Sequence, residues 1–420
     1  MGDTIAEALL ASASGAESVS PGDHVVCEVD VTMTQDIHTL GIAHLLEEMG
    51  VEELHDPEQL VVVLDHEAPS HHIENATEKS MIREFVDDHP ESTFYDVGTG
   101  ISHEVLPEKG HVRPGDLIIG SDSHTVTHGA FGAASTGMGD TDVAYALATG
   151  EAWFRVPETI EFEVHGEFGD RVSAKDLVLH IAGEFGSDVA RYKAIEFRGP
   201  AVEALPIDGR MTLTNMSIEL GAKFGFTPVD DVVTEYVEER TDEPYEVFHA
   251  DADAEYAERH VIDVTDLEPQ IAVPHDVDDV HPISAVDPVA VDQVFLGSCT
   301  NGKFDDLAAA AEILEGHEVA PMTRFIVTPA SREIYSRAAE AGIIRTFNDA
   351  GAVVTSSTCG ACPGLGMGLL GEGEVCLAAQ NRNYRGRMGH NESEIYLSSP
   401  ETAAATAITG RITDPREVGR

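Results

Sequence analysis

Three cysteines lie in two short motifs whose spacing suits metal binding or redox chemistry. Cys359 and Cys362 form a Cys-x-x-Cys pair around Gly360 and Ala361, and Cys299 lies in the segment Gly-Ser-Cys-Thr-Asn. A lone Cys-x-x-Cys pair is compatible with zinc, with an iron–sulfur centre or with a redox dithiol. Zinc sites usually take four protein ligands from two such pairs, and a thioredoxin-like pair opens a helix near the start of a short domain. The pair by itself leaves these chemistries open.

Other reactive side chains follow strands that the sequence predicts. The predicted strands are Leu60–Leu64, Leu117–Ile119, Val294–Leu296, Phe325–Val327, Ala352–Val354 and Val375–Ala378. Five of them lead into segments with carboxylate, imidazole, thiol or guanidinium groups: Asp65-His66-Glu67, Ser121-Asp122-Ser123-His124, Ser298-Cys299, Cys359-Gly360-Ala361-Cys362 and Asn381-Arg382. Ligands of open α/β sheets bind outside the carboxyl ends of the strands. We therefore predict one site assembled from several segments.

Short β-branched runs alternate with amphipathic stretches along the chain, a pattern typical of α/β folds with mostly parallel sheets flanked by helices. The predicted helices, each with apolar residues three and four positions apart, are Asp142–Phe154, Ala174–Phe185, Phe304–Leu314, Ser331–Ala341 and Glu401–Thr409. Between residues 229 and 288 Asp and Glu become dense, and prolines punctuate the end. We predict that this stretch is the edge of a middle domain followed by a solvated linker.

The charge of the chain is strongly unbalanced. Its 420 residues include 76 acidic and 25 basic side chains, for a formal net charge of −51, and only six lysines. Such a field repels nucleic acids and anionic membranes, so neither is predicted as a partner. Hydrophobic residues make up 42% of the chain, which indicates a folded protein and not an acidic disordered tail. A folded protein this acidic predicts a halophilic, high-salt setting, where screening removes most of the self-repulsion.

The sequence predicts a cytoplasmic location. No run of about 18 apolar residues is present, as a membrane-spanning helix would need. The N-terminal segment has no basic region before an apolar one, so no secretory signal is predicted. The five cysteines, an odd number, argue against a disulfide framework.

Three motifs occur together in one order: Gly297-Ser298-Cys299-Thr300-Asn301, Cys359-Gly360-Ala361-Cys362-Pro363-Gly364 and Asn381-Arg382-Asn383-Tyr384-Arg385-Gly386-Arg387. With them, the sequence resembles the aconitase superfamily, from the N-terminus to about residue 412. The resemblance is closest to the large subunits of two-chain 3-isopropylmalate dehydratases and homoaconitases. Upstream segments also match: Asp65-His66, Gly98-Thr99-Gly100-Ile101-Ser102-His103 and Ser121-Asp122-Ser123-His124-Thr125. The resemblance implies an aconitase-like core of three α/β domains, at residues 1–157, 158–265 and 266–420, that lacks the fourth, swivelling domain.

The family is known for isomerising hydroxy-di- and tricarboxylates by dehydration and rehydration on a 4Fe–4S cluster. The resemblance implies that Cys299, Cys359 and Cys362 hold three irons and leave the fourth iron open as a Lewis acid for the substrate hydroxyl. Four-cysteine ligation is the rule for electron-transfer clusters, so three thiolates favour hydration chemistry. Cys27 and Cys376 lie in apolar runs and are interpreted as small buried hydrophobic residues.

Further site residues are implied by the same resemblance. The catalytic residues around the leaving hydroxyl or a bound water would be Asp65, His66, His103, Asp122, His124 and Glu196. The substrate-binding residues would be Gln35, Ser123, Asn381, Arg382 and Arg387. The two arginines suit this role because a planar guanidinium binds a carboxylate through two hydrogen bonds. A histidine paired with a carboxylate suits protonation of a leaving hydroxyl.

The expected activity depends on a second chain. Single-chain aconitases carry a further domain with the serine that removes the carbon-bound proton, and this chain ends at Arg420 without it. We therefore expect a small subunit that carries the swivelling domain and the catalytic serine. The expected enzyme is a 3-isopropylmalate dehydratase of leucine biosynthesis, and a homoaconitase or related hydro-lyase is the alternative. More distant alternatives are an RNA-binding protein, which the charge disfavours, and a zinc protein that uses the same cysteines.

Overall fold

The computed structural model describes residues 2–418. Met1, Gly419 and Arg420, at the ends of the predicted first and third domains, lie outside the described residues. The chain packs into two compact units. The first unit comprises the described residues up to Val97, with Ser102–Val164 and Ala190–Ile262. The second unit comprises Gly98–Ile101, His165–Val189 and the described residues from Asp263 onward.

Strands and helices alternate through most of the chain. The strands are β1 (His24–Glu28), β2 (Val31–Gln35), β3 (Leu60–Val63), β4 (Thr93–Tyr95), β5 (Leu117–Gly120), β6 (Ala134–Gly137), β7 (Glu151–Arg155), β8 (Thr159–His165), β9 (Ala194–Arg198), β10 (Phe224–Phe226), β11 (Glu258–Asp263), β12 (Gln270–Ala272), β13 (Val280–Pro282), β14 (Gln293–Leu296), β15 (Arg324–Val327), β16 (Val353–Val354), β17 (Val375–Ala378) and β18 (Glu394–Leu397). The helices are α1 (Ile5–Ser14), α2 (Thr39–Met49), α3 (Ile73–Asp87), α4 (Ser102–Glu108), α5 (Asp140–Thr149), α6 (Ala174–Phe185), α7 (Pro200–Glu203), α8 (Ile207–Met216), α9 (Asp231–Glu238), α10 (Ser298–Asn301), α11 (Phe304–Leu314), α12 (Arg332–Glu340), α13 (Ile343–Ala350) and α14 (Pro400–Thr409).

A parallel five-stranded sheet in the order β4–β3–β2–β5–β6 forms the centre of the first unit. Both faces of β3 are buried, which explains why it reads as a continuous apolar run and not as an alternation. Leu60 and Val62 pack in a core cluster with residues of α2 and α5. Val61 and Val63 belong to a second cluster with residues of α4 and α8. Helices therefore cover the sheet on both faces.

The strand register sets the edge at which the reactive segments of the first unit begin. Gln35, the last residue of β2, is aligned with Val63 of β3, and Met33 is aligned with Gly120 of β5. The carboxyl ends of these three strands therefore lie side by side. The first unit also contains the antiparallel pair β1–β7 and a four-stranded sheet in the order β10–β9–β8–β11.

A seven-stranded sheet forms the second unit, in the order β13–β12–β18–β17–β14–β15–β16. The strands from β18 to β16 pair in parallel, whereas β12 pairs antiparallel with both of its neighbours. Val294 and Leu296 of β14 pack in one core cluster with residues of α11 and α14. Phe295 of β14 is aligned with Ala378 of β17, so the segments that follow these two strands begin at one edge of the sheet.

Most of the predicted elements are present. Val375–Ala378, Ala174–Phe185 and Phe304–Leu314 have the predicted bounds. The other five predicted strands are found with one end displaced by a single residue. The prediction of an α/β fold with mostly parallel sheets flanked by helices is confirmed.

Two predictions about local structure are wrong. The helix predicted over Asp142–Phe154 ends at Thr149, and Glu151–Arg155 forms β7. Gly150, with φ 75°, ends the helix in the left-handed conformation, and the five residues of β7 then alternate between exposed and buried, as a strand does. The stretch from 229 to 288 contains α9, β11, β12 and β13, and β12 is buried within the large sheet, so the part predicted as a solvated linker is folded structure.

The division into three domains stays a prediction, since the two compact units each combine segments that are distant in the chain. Within residues 2–418, none of the helices combines the length and the apolar composition that crossing a membrane requires.

Candidate active site

Carboxylates and histidines of the first unit form one group beyond the ends of β3 and β5, held by hydrogen bonds and by one longer charged contact. Asp65 Oδ1 accepts a hydrogen bond from His66 Nδ1 at 2.7 Å, and His66 Nε2 lies 3.9 Å from Asp122 Oδ2. Asp122 Oδ1 accepts from His103 Nε2 at 2.8 Å and from the main-chain N–H of His124 at 2.7 Å. The structure therefore brings together five of the six predicted catalytic residues.

The electrostatics of this group favour a protonated imidazole beside an ionised carboxylate. Burial alone would raise the pKa of Asp122, but hydrogen bonds from His103 and His124 hold that pKa well below its usual range. Burial also opposes a charge on His66, yet the carboxylates of Asp65 and Asp122 raise the pKa of His66 to about 9. At neutral pH the group thus holds a proton in the state from which a general acid starts.

Asp65 and His66 are each held by a further buried hydrogen bond. The main-chain N–H of Ser102 donates to Asp65 Oδ2 at 2.7 Å, and the main-chain N–H of His66 donates to Asp36 Oδ1 at 3.0 Å. Asp36 is in turn paired with the buried Lys79, whose Nζ lies 2.9 Å from Asp36 Oδ2. These contacts hold the Asp65 carboxylate and the main chain of His66 in place.

The predicted substrate-binding residues of the first unit lie beside this group. Gln35 is fully buried, and its Nε2 donates to Ser102 Oγ at 3.1 Å. Ser123 follows Asp122 directly and begins a 3₁₀ helix, Ser123–Phe131, for which Asp122 is the N-cap. Ser123 is partly exposed, so it is the more accessible of the two to a small molecule.

Glu196 is not brought into this group. It lies in β9, where its carboxylate accepts from the main-chain N–H of Ile5 at 2.9 Å and from the Tyr256 hydroxyl at 2.6 Å. The carboxylate beside His124 belongs instead to Glu219, whose Oε1 accepts from His124 Nε2 at 3.0 Å. Glu219 is buried, at 4% exposure. The structure therefore separates Glu196 from the other five predicted catalytic residues and supplies a different partner for His124.

In the second unit, the three predicted cluster cysteines are buried and reduced. One carboxamide contacts two of the three sulfurs, since Asn381 Nδ2 lies 3.5 Å from Cys299 Sγ and its Oδ1 lies 3.6 Å from Cys362 Sγ. Cys359 lies in the same tight loop as Cys362, whose main-chain N–H donates to the Cys359 carbonyl at 3.4 Å. The loop after β14 and the loops that carry Cys359 and Asn381 therefore meet within this unit.

Two backbone positions explain how the cysteine loops form. Gly360 has φ 61°, and a Cβ at this position would come within 3.1 Å of the Phe295 ring and 3.0 Å of Thr328 Oγ1. The glycine of the Cys-Gly-Ala-Cys motif thus has a conformational and a steric reason. Ser298, directly before Cys299, has φ 69°. A left-handed non-glycine residue costs on the order of 1–3 kcal/mol, and such residues concentrate at functional sites.

The predicted substrate-binding residues of the second unit follow β17. Arg387 Nη2 lies 3.7 Å from Cys362 Sγ. Arg382 is partly exposed and directly follows Asn381, and its carbonyl accepts from Gln380 Nε2 at 2.7 Å. Cysteines, carboxamide and guanidinium are therefore assembled in one unit.

The donor set fits an iron–sulfur cluster with three protein ligands. Cys376 lies inside β17, where burial raises the pKa of its thiol. Cys27 lies in β1, and burial raises the pKa of its thiol to about 12. Both thiols are held in the protonated form, as expected for small buried hydrophobic residues and not for metal ligands.

A sequence model of the aconitase family (aconitate hydratase) matches residues 8–290 and 284–410 of the chain. This chain belongs to the aconitase family. The resemblance and the enzyme class predicted from the motifs, a hydro-lyase, are confirmed by this match. Members of the family bind a 4Fe–4S cluster, and the reduced thiols of the second unit are the donors of this chain that suit one.

Relatives of the aconitase-family chain align along its whole length. The "3-isopropylmalate dehydratase large subunit 1" of Methanopyrus kandleri is 51% identical over 416 residues, which cover 99% of each chain. The "Probable 3-isopropylmalate dehydratase large subunit" of Methanothermobacter thermautotrophicus is 47% identical, also over 99% of each chain. The "3-isopropylmalate dehydratase large subunit" of Hydrogenobaculum sp. is 44% identical over 100% of this chain and 99% of its own.

Reasoning from the sequence missed Glu219 in this aconitase-family chain. The residue lies near the end of a stretch, from Met211 to Leu220, that is otherwise made of uncharged residues. A lone carboxyl in such a stretch was the available signal. The stretch packs on the 3₁₀ helix that carries His124, because Thr214 Oγ1 donates to the Thr127 carbonyl at 2.8 Å.

Proposed function

We propose that this chain is the large subunit of a 3-isopropylmalate dehydratase, which interconverts 2- and 3-isopropylmalate in leucine biosynthesis. The observation that carries the proposal is the identity of 44–51% to relatives of that name over essentially the full length. The three reduced thiols and the histidine–carboxylate group supply the chemistry that a dehydration needs.

Cys299, Cys359 and Cys362 would hold one 4Fe–4S cluster per chain. When bound, the cluster supplies a Lewis-acidic iron for the substrate hydroxyl. The Asn381 carboxamide contacts the sulfurs of Cys299 and Cys362, and the Arg387 guanidinium also contacts the sulfur of Cys362. These residues would hold the donors in place.

The remaining site residues would handle the substrate and its protons. Arg382 and Arg387 would bind the carboxylates of the substrate through their planar guanidinium groups. An imidazolium of the histidine group would protonate the departing hydroxyl, and the Asp122 carboxylate would stabilise that charge before transfer. In the reverse direction the same imidazole would accept the proton from water.

A separate small subunit would supply the base that removes the carbon-bound proton. Support for this partner comes from the names of the relatives, which are large subunits. We propose that the partner carries the swivelling domain and the catalytic serine, and that the two chains form a heterodimer. The charge of −51 further supports a halophilic, cytoplasmic enzyme.

The proposal is tested with the chain reconstituted anaerobically with iron and sulfide, with and without the small subunit from the same source. We expect one cluster per chain, and dehydration of 3-isopropylmalate only when both subunits are present, followed through the ultraviolet absorbance of the unsaturated intermediate. Faster turnover of a homocitrate-type substrate in the same preparation would reassign the enzyme to the homoaconitases. Zinc without iron or acid-labile sulfide would contradict a hydro-lyase altogether.

A further inference from the structure

Lys175 is a fully buried cation at the start of α6 in the second unit. Its Nζ donates to three oxygens: Asn301 Oδ1 at 3.1 Å, the Ala379 carbonyl at 3.0 Å and the Gln380 carbonyl at 2.7 Å. Burial lowers the pKa of Lys175 to about 7, and the three acceptors favour the ammonium, since only that form has three N–H donors. All of its donors are therefore used on two neighbouring loops.

Each of those loops carries residues of the cysteine group, by which we mean Cys299, Cys359 and Cys362 with the Asn381 carboxamide that contacts two of their sulfurs. Asn301 ends the short helix α10, which contains Cys299. Ala379 and Gln380 directly precede Asn381, the residue whose carboxamide contacts the sulfurs of Cys299 and Cys362. A single ammonium group thus ties the Cys299 loop to the Asn381 loop, although the two are about 80 residues apart in sequence.

The position of Lys175 is fixed by its neighbours. Ser173 and Asp176 form a capping box at the start of α6, and Asp176 Oδ1 also accepts from the main-chain N–H of Gln270 in β12 at 2.8 Å. A second buried lysine, Lys303, also contacts the Cys299 loop, because its Nζ donates a hydrogen bond to the Thr300 carbonyl. The helix start is thus anchored independently of the two loops that it holds.

The presence of a lysine at position 175 itself indicates a role beyond packing. Burying an ammonium is costly, and a side chain without charge would fill the same volume at a lower cost in desolvation. Lys175 and Lys303 are two of only six lysines, and both are fully buried beside the cysteine group. Packing alone gives no reason for a lysine here.

We infer that Lys175 is a positioning residue for the cysteine group, holding the Cys299 loop against the Asn381 loop and thereby setting how tightly iron is retained. The inference rests on the proposed cluster. It concerns a residue that touches neither sulfur nor substrate and acts only through the loops that it joins. Side chains of this kind, outside the ligands themselves, typically change metal affinity about 10- to 100-fold when removed.

The test compares iron retention in full-length variants. Lys175→Met keeps the length of the side chain and removes all three hydrogen bonds, whereas Asn301→Ala removes one. After anaerobic reconstitution with iron and sulfide, we expect a ferrous chelator to withdraw iron about 10- to 100-fold faster from Lys175→Met than from the unaltered chain, and at an intermediate rate from Asn301→Ala. The electron paramagnetic resonance signal of the oxidised, three-iron form should also change. Lys223→Met, which removes a partly buried lysine near Phe154 in the first unit, is the matched control and should release iron at the unaltered rate.

The outcomes are distinguishable. A Lys175→Met chain with unaltered circular dichroism, iron content and release rate would overturn the inference. If this variant does not fold, Lys175→Arg decides, because it keeps the charge but spreads its donors over a planar guanidinium, whereas the ammonium directs three donors from one nitrogen. Faster release from Lys175→Arg supports the inference, and unaltered release overturns it by leaving only a role for the buried charge. An unaltered chain that takes up no iron would count against the proposed function and not against the role of Lys175.

Discussion

Asp122 connects the histidines of the candidate site through one carboxylate. Its Oδ1 accepts from His103 and from the main chain of His124, while its Oδ2 faces His66 Nε2 at 3.9 Å. Because these contacts hold the pKa of Asp122 well below its usual range, the carboxylate is ionised throughout the neutral range. The residue thus places one negative charge among three imidazoles, and Glu219 places a second carboxyl group beside His124.

Glu219 and Glu196 give opposite expectations for catalysis. Glu219→Gln removes a negative charge 3.0 Å from His124 Nε2, so we expect kcat/KM of the two-subunit enzyme to fall by about 100-fold or more, the contribution of a positioned acid or base. Glu196→Gln disturbs contacts with Ile5 and Tyr256, so it should lower stability more than kcat/KM. Both variants are compared by pH–rate profiles and urea unfolding. A large loss of kcat/KM in Glu196→Gln alone would restore the assignment made from the sequence.

The cysteines allow a matched comparison within one strand and loop. Cys362→Ala removes a sulfur that contacts Asn381 and Arg387, so we expect loss of bound iron and sulfide after reconstitution. Cys376→Ala removes a fully buried thiol of β17 and should leave the iron content unchanged, at a cost of about 1 kcal/mol in stability. Iron and acid-labile sulfide analysis gives the result. Equal loss of iron in both variants would mean that Cys376 is a ligand.

At the scale of elements, the sequence predicts the strands and helices whose formation depends on the hydrophobic pattern of the segment itself. The strand Leu117–Gly120 and the helix Phe304–Leu314 follow from apolar runs and from three- and four-residue spacing. The end of α5 was missed because Trp153 and Phe154 suit a helix as well as a strand, whereas Gly150 and the pairing of β7 with β1 decide the outcome. The sequence of a single segment does not show which other strand it will pair with.

In the candidate site, too, residues within short motifs could be predicted from the sequence, whereas contacts between distant residues could not. The cysteine, arginine and Asp-His segments were visible as motifs after strands. The partner of His124 was not, because Glu219 lies 95 residues away and joins it only through the packing of α8 and the following turn. The contacts of Lys175 span 126 and 205 residues, so the sequence around Lys175 does not predict them.

Asp230 shows how one side chain stabilises two elements of the first unit. It is the N-cap of α9, accepting from the main-chain N–H groups of Val232 and Val233, and it forms two hydrogen bonds with the buried guanidinium of Arg210 in α8. Losing such a partner leaves a charge buried and unpaired. We expect Asp230→Asn to lower the free energy of unfolding by about 3 kcal/mol at pH 7, measured in urea, against less than about 1 kcal/mol for the exposed neighbour Asp231→Asn.

The pH dependence of this effect has a definite sign. Burial alone would raise the pKa of Asp230, but the hydrogen bonds and charge of Arg210 lower it below its usual value. A carboxyl with a lowered pKa in the folded state stabilises the fold above its unfolded pKa, about 4, and loses that contribution as the pH falls through the lowered value. The difference between the unaltered chain and Asp230→Asn should therefore be constant above about pH 5 and shrink as the pH approaches 3. A difference that stays constant over this range would exclude the ion pair as its origin.

For the whole molecule, half of the six lysines lie in the interior, where they hold structure and do not neutralise the surface. Lys79, Lys175 and Lys303 are buried, which leaves three other lysines for the rest of the chain. Fully buried Arg210 is likewise committed to an internal pair. The chain has 76 acidic against 25 basic residues, and the repulsion among the exposed acidic side chains depends on the surrounding salt.

The last prediction concerns that dependence on salt. Lowering the salt concentration lengthens the Debye distance from about 3 Å at 1 M to about 10 Å at 0.1 M, so charges across the surface repel one another and favour expanded states. We expect the melting temperature to fall steeply as NaCl is removed, measured by circular dichroism on the reconstituted chain. Sucrose at equal osmolality separates screening from general exclusion of cosolute, because sucrose stabilises burial without screening charge. Recovery with NaCl but not with sucrose is the expected pattern. A melting temperature that does not change between 1 M and 0.1 M salt would show that the negative field is balanced within the fold, and the halophilic interpretation of the −51 charge would then be wrong.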